Sequence, residues 1–322
     1  MTDGTAITAP DRGRARVPIW LLVLAAVGGC LLLIVAVIRW GTPSDEYAYW
    51  LAAERLLAGQ PLYDPSAQPG TPYAYFYPPP LAQVLAPFTA IVPDGVYVAA
   101  WTVLLLACLW WLAGRKPLVA LALIAFIPVA VELWYRNVHL VLAVLVVLGL
   151  RRSPVWLAVA AAIKGAPAIG LIYLVLARRY RDAVVMGAAG LVMLVVSVVV
   201  SPDAWRQFLE VVVADAAGVG ASIVPIPFAV RAVAALGLVI VAGLIARRSS
   251  YESRGAGLSS DARVGDALFV VALILANPTF WVTSLSMLVA LLPLWQTHPS
   301  SGASAVERHP TPPAVSERPR SP

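Results

Sequence analysis

Apolar runs of bilayer length, most of them closed by paired basic residues, constrain this chain more than any other feature. Residues 17–38 contain no charged side chain, and ~20 apolar residues in a helix are enough to cross a hydrocarbon core. Further apolar runs follow at 94–114, 117–131, 140–150, 183–200, 225–246, 264–276 and 279–294. Backbone polar groups find no water in lipid, so runs of this kind have to be helices. The predicted fold is an all-α polytopic membrane protein with about 8 transmembrane spans. A hydrophobic share of 60% against 12% charged residues, with a mean hydropathy of +0.82, excludes a soluble domain as the body of the chain.

The basic residues set the orientation. Arg12, Arg14 and Arg16 stand before the first run, Arg115 and Lys116 after the second, and Arg247 and Arg248 after the run at 225–246. The positive-inside rule then puts both termini in the cytosol and residues 39–93 outside, and 17 of the 23 Lys and Arg fall in segments so assigned to the cytosol. Six exceptions, Arg39, Arg55, Arg136, Lys164, Arg206 and Arg231, lie on the far side or within the membrane. The net charge of +6 therefore reads as an orientation signal, not as a nucleic-acid surface. No small-residue cleavage site follows residues 17–38, which read as a retained helix. Cys30 and Cys108, on separate apolar runs, read as small buried side chains. Residues 1–16 and 297–322 are expected to be disordered cytosolic tails flanking a transmembrane domain at 17–296.

Residues 154–177 have the length of one span, yet Arg151 and Arg152 on one flank and Arg178, Arg179 and Arg181 on the other all favour the cytosol. Within this run, Lys164-Gly165-Ala166-Pro167 is a polar helix break. A re-entrant hairpin with Lys164 at its apex reconciles the flanks; a plain single span with one inverted basic loop is the alternative.

The long polar segment at 42–80 lies between apolar runs and is the place to look for chemistry. Tyr47, Trp50, Leu51 and Leu57 recur at helical spacing, and Gly59 with Pro61 supplies a stop, which predicts a helix over 44–58 headed by Asp45 and Glu46. Tyr73, Tyr75, Phe76 and Tyr77 follow, and Pro78, Pro79 and Pro80 stiffen the return toward the membrane. An enzyme taking a sugar from a lipid phosphate needs a base for the acceptor hydroxyl and positive charge for the departing phosphate. Either Asp45 or Glu46 is placed to be that base, and Arg136, Lys164, Arg231 and His139 are candidates for the phosphate. Tyr75 and Tyr77 are candidates for stacking on a sugar. Each has a plainer reading: a solvated carboxylate, an arginine that snorkels, a capping histidine, tyrosines at the interface for their own sake. No spacing of metal-ligand type occurs, and no cofactor is expected.

The order Asp45, Tyr49, Ala53, Leu57, Gly59, Pro61, Leu62, Tyr63, then Tyr75-Phe76-Tyr77-Pro78-Pro79, then Lys164 before Pro167, then Pro278 with Trp281, resembles the integral-membrane mannosyltransferases of glycosyltransferase family 87. The resemblance covers about residues 42–296. It implies a GT-C-like fold, polyprenol-phosphate-mannose as donor and an envelope glycolipid or glycan as acceptor. It also implies inverting transfer on the outer face of an actinobacterial cell membrane, with Asp45 as base and Trp281 near the substrate. The chain departs from the family at three places: Arg136-Asn137 stands where Gly-Gln is frequent, Gly165 where Pro is frequent, and residues 277–284 lack the His often found after the Pro and Trp. Arg136 or His139 would then take over that histidine's role. A polytopic lipid or sugar transporter, or a non-catalytic scaffold of envelope assembly, are the alternative functions.

Overall fold

A computed structural model describes residues 27–28, 31, 45–63, 74–216, 222, 226–252 and 260–295. Almost all of the expected first span, both tails and Tyr73 lie outside the described residues. All regular structure within them is helical.

Helix α1, Asp45–Leu57, carries Asp45 and Glu46 in its first turn and Arg55 in its last, a charge order that complements the helix dipole. It ends where Gly59 takes a left-handed φ of 65°. Its buried face, Ala48, Tyr49, Trp50, Ala52 and Ala53, packs on α2, Pro79–Thr89, and on α3, Asp94–Leu112. Proline at the first position of α2 is tolerated because those N–H groups have no partner in a helix anyway.

The run at 117–131 is not the single span the sequence suggested. It forms α4, Pro117–Ile124, and α5, Ile127–Tyr135, at 82° to one another. Pro128 has no N–H to give the Ile124 carbonyl, so a helix continuing through would lose that bond, and the chain restarts instead. Glu132, one residue past that run, lies inside α5.

Helix α6, His139–Arg151, is followed by α7, Val155–Lys164, a 3-10 turn at Ala166–Ile169, and α8, Gly170–Leu176. The chain doubles back at Gly165. Arg179 Nη2 donates to the Leu150 carbonyl at 3.3 Å, so the two ends of this segment meet. Tyr173 and Arg151 both reach Asp266. Lys164 is thus at the tip of a helical hairpin, far along the chain from both of its anchored feet.

The remaining helices are α9, Tyr180–Val200, α10, Pro202–Ala216, α11, Phe228–Glu252, and α12, Ser260–Leu275. A 3-10 stretch, Val282–Ala290, leads into α13, Leu291–Trp295. Helices α11 and α12 touch backbone to backbone: a Cβ on Gly265 would lie 2.8 Å from the Ala242 carbonyl oxygen. Small residues permit this approach, which is how helices associate where lipid is as apolar as leucine.

By length and composition α3, α9 and residues 228–248 of α11 can cross a bilayer, and α4 with α5 adds a fourth if the bent pair is one span. Helix α6 has 13 residues, which reach ~20 Å against a hydrocarbon core of ~30 Å. Helix length among the described residues therefore does not reproduce the count of eight spans. Breaks at Ala125–Phe126 and Gly165 divide runs that composition alone left whole. Val184, Leu191, Val192, Val195, Val196 and Val199 of α9 are exposed together, a face suited only to lipid, and the protein is membrane-embedded.

Candidate active site

Two turns and one helix start meet at the α1 end of the bundle. Helix α5 closes on Arg136, which adopts left-handed φ, ψ of 49° and 44°. That conformation costs a non-glycine residue about 1–2 kcal/mol, and two contacts hold it. Trp101 Nε1 donates to the Arg136 carbonyl at 2.8 Å, and the guanidinium grips Glu46 through Nε at 2.7 Å and Nη2 at 2.5 Å. The reversal delivers Asn137 and His139 to the start of α6, facing the head of α1.

Asn137 Nδ2 donates to Asp45 Oδ2. The side-chain Oδ1 of Asn137 accepts from Tyr77 Oη at 3.0 Å, and Tyr77 in turn accepts from Tyr49 Oη at 3.0 Å. A chain of neutral groups therefore orients one carboxylate oxygen, and among the described residues the other has no hydrogen-bond partner. Burial pushes the Asp45 carboxyl up to about 6, against the Asn137 hydrogen bond and the nearby Lys164 charge, with Glu46 adding to the rise. That value suits a group that must accept a proton near neutral pH.

Glu46 is a different group despite its adjacency. It is 1% exposed and bound to Arg136, so its charge has an immediate counterion. Burial raises its carboxyl and the Arg136 contact draws it back. Its Oε2 is buried without a hydrogen bond.

Opposite Asp45, Lys164 Nζ lies 2.7 Å from His139 Nε2 and 5.3 Å from the centre of the Tyr77 ring. Leu142, Ala166, Pro167, Leu273 and Met287 line the apolar side of the same spot with Lys164 and Asn277. His139 is 1% exposed and also lies 3.3 Å from Asn277 Nδ2 and 3.4 Å from Ser284 Oγ. Behind it, Glu132 is fully buried: its carboxylate accepts the N–H groups of His139 and Leu140 and lies 3.1 Å from His139 Nδ1.

The fold thus brings together Asp45, Glu46, Tyr77, Arg136, His139 and Lys164. Three other candidates are placed differently. Tyr75 is 4% exposed, donates to the Pro78 carbonyl at 2.9 Å and accepts from the Ala82 N–H at 3.2 Å, so it braces the entry to α2 and offers no face to a sugar. Arg231 is 4% exposed and directs its guanidinium at the carbonyls of Ile226, Asn277 and Pro278, clamping the turn that carries Asn277. Trp281 is 42% exposed at the start of the 3-10 stretch, where its carbonyl accepts the Ser284 N–H. Arg136 reaches the site, but its guanidinium is engaged by Glu46.

Sequence reasoning missed Asn137, Glu132, Asn277 and Ser284 as site members. The first three are polar residues within or beside apolar runs, a signal in itself; Ser284 carries none. Among the described residues no group of three His, Cys, Asp or Glu is placed to hold a metal ion.

No curated protein and no solved structure matches the chain. The sequence model of glycosyltransferase family 87 matches residues 75–292, a stretch that begins after α1 and contains Tyr77, Asn137, His139, Lys164 and Asn277. That match spans more than half of the sequence, and the chain belongs to glycosyltransferase family 87.

Proposed function

We propose that this glycosyltransferase moves a mannosyl unit from polyprenol-phosphate-mannose to a hydroxyl of an envelope glycolipid or glycan, on the outer face of the membrane and with inversion. The observation that supports the reading is that Asp45, from α1, and Lys164, from the tip of the α7–α8 hairpin, converge on the same polar group: Asp45 on Asn137, which Tyr77 bonds, and Lys164 on His139 and the Tyr77 ring. Asp45 is the general base: it takes the proton of the acceptor hydroxyl as that oxygen attacks the anomeric carbon and the bond to the lipid phosphate breaks. Lys164 meets the charge that develops on the phosphate. A β-linked donor then gives an α-mannoside. No metal or cofactor has a part in these steps. The apolar surroundings of the hairpin suit a donor whose lipid tail stays in the bilayer.

The test is transfer of labelled mannose from polyprenol-phosphate-mannose to an envelope-lipid extract by the purified protein in vesicles. Formation of an α-mannoside supports the reading. Transfer of another sugar from its lipid phosphate, with mannose inert, replaces the donor; no transfer from any lipid phosphate sugar sinks the enzymatic assignment of this site. Accessibility of Ser66→Cys, but not Ser259→Cys, to an impermeant thiol reagent on intact cells checks the sidedness, and the reverse pattern would overturn it.

A further inference from the structure

Glu132 touches neither Asp45 nor Lys164, yet it closes a run of buried polar contacts that ends on the Lys164 ammonium. It lies in the last turns of α5, 0% exposed. Its Oε1 accepts the N–H of His139 at 2.6 Å and of Leu140 at 3.2 Å, and its Oε2 lies 3.1 Å from His139 Nδ1. On the far side of the ring, Nε2 lies 2.7 Å from Lys164 Nζ. An ammonium has no lone pair and can only donate, so Nε2 must accept; a carboxylate can only accept, so Nδ1 must carry the proton. Glu132 and Lys164 demand the same neutral tautomer, and Asn277 Nδ2, a donor 3.3 Å from Nε2, agrees with it.

The placing of that ring matters for the lysine. A charged amine in an apolar setting needs compensation, but a carboxylate bound directly to it would occupy the donors a phosphate has to use. Among the described residues no carboxylate lies within ion-pair distance of Lys164 Nζ, and its hydrogen bond goes to His139. The negative charge of Glu132 is held one ring away.

We propose that Glu132 is a positioning residue for glycosyl transfer: it holds His139 as the Nδ1–H tautomer, so that Nε2 tethers Lys164 by one N–H and leaves the other two for the phosphate of the lipid donor. This inference rests on the reading of Lys164 as the phosphate-facing group. It differs from a capping role, which Glu132 also has at the start of α6. A glutamine at 132 keeps a carbonyl oxygen for the His139 and Leu140 N–H groups, but presents an amide N–H₂ in place of the second acceptor oxygen.

The test uses the full chain in nanodiscs with ¹⁵N-labelled imidazoles, the His139 signals being assigned by their loss in His139→Asn. The wild type is expected to show Nδ1 protonated and Nε2 bare, and Glu132→Gln to lose that tautomer. Affinity for polyprenyl phosphate is measured alongside, and should fall about 10–100-fold in Glu132→Gln, the size of a charge-assisted hydrogen bond. Donor KM should rise by a similar factor with a smaller change in kcat. An Nε2–H tautomer or an imidazolium in the wild type overturns the inference without any variant having to fold. Unchanged phosphate affinity in a folded Glu132→Gln that has lost the tautomer overturns it as well. If wild-type protein binds polyprenyl phosphate in a Glu132-dependent way but transfers no mannose, the donor assignment fails and this inference stands. Mannose transfer with the same KM and phosphate affinity in both proteins overturns the inference and leaves the donor assignment standing.

Discussion

The bundle has a polar cluster at each end, and the two are wired differently. At the Arg151 end, charges and polar groups meet directly and are used up. Asp266 accepts from Tyr173 Oη at 2.7 Å and lies 3.8 Å from Arg151 Nη2, which also donates to the Leu294 carbonyl at 2.5 Å. Arg179 bonds Asp182 at 2.7 Å and the Leu150 carbonyl at 3.3 Å. These contacts staple the feet of the hairpin to α12 and α13. At the α1 end, two charges are each met by a neutral group: Asp45 by an amide, Lys164 by an imidazole. Buried charges with direct partners are a structural expense already settled; charges spaced by neutral hydrogen-bonding groups keep capacity for something that arrives later. The pair Glu46–Arg136, although beside Asp45, belongs with the first kind.

The comparison breaks most readily at Asp45. Asp45→Asn keeps the shape and the Asn137 contact while removing basicity, so turnover should fall about 10²–10⁴-fold with donor affinity nearly unchanged. Equal turnover in Asp45→Asn and wild type would remove the functional distinction between the two ends. Lys164→Met deletes the positive charge at this end and its contact with His139. Donor kcat/KM should drop about 10–100-fold, and the protein should remain folded. A loss confined to stability would return Lys164 to the structural class.

The pH profile sharpens the same point. With Asp45 near 6, kcat/KM should rise about tenfold per pH unit below that value and level off above it, since only the ionised carboxylate accepts a proton. Because burial raises this group above its ordinary 3.8, the folded chain binds more protons than the unfolded one between about 4 and 6. Its contribution to stability therefore declines as pH rises through that window. Residual activity in Asp45→Asn should lack the acid limb; a limb unchanged in the variant would assign the titration elsewhere.

The smallest effects on turnover are expected from the directly paired groups. Asp266→Asn weakens contacts to Tyr173 and Arg151 and should cost about 1–3 kcal/mol of stability, seen as a lower midpoint of thermal unfolding, with turnover per folded molecule close to wild type. Glu46→Gln should behave likewise through Arg136. A large loss of turnover at unchanged stability in Glu46→Gln would move Glu46 across the divide.

Several parts of this arrangement were legible in residue order. The acidic head and glycine stop of α1 and the break at Lys164-Gly165-Ala166-Pro167 are local chemistry, and those helices end where those residues place the ends, whereas α2, Pro79–Thr89, stands where the sequence reads as loop. The basic flanks of residues 154–177 favoured both feet of a hairpin on one side, with a plain single span as the alternative. Less legible were the partners. Asn137 and Asp45 are 92 positions apart, and Glu46 and Arg136 are 90 apart. Arg231 looked like a phosphate group because it is a cation beside an apolar run, and only its neighbours reveal that it is engaged by backbone carbonyls.

Composition and local breaks determined that this chain lives in a membrane, is helical, and is interrupted at Lys164-Gly165-Ala166-Pro167, because lipid leaves backbone polar groups no partner but the helix and Gly and Pro interrupt it. Which face of each helix turns inward was decided by tertiary structure alone. In a soluble protein that face is the apolar one; here valine and leucine serve equally against lipid and against another helix, so the pattern of hydropathy records the length of a helix and not its rotation. Glu132, Asn137 and His139 become one network with Lys164 and Asp45 only when the 82° bend before α5 and the left-handed turn at Arg136 aim them at the hairpin tip.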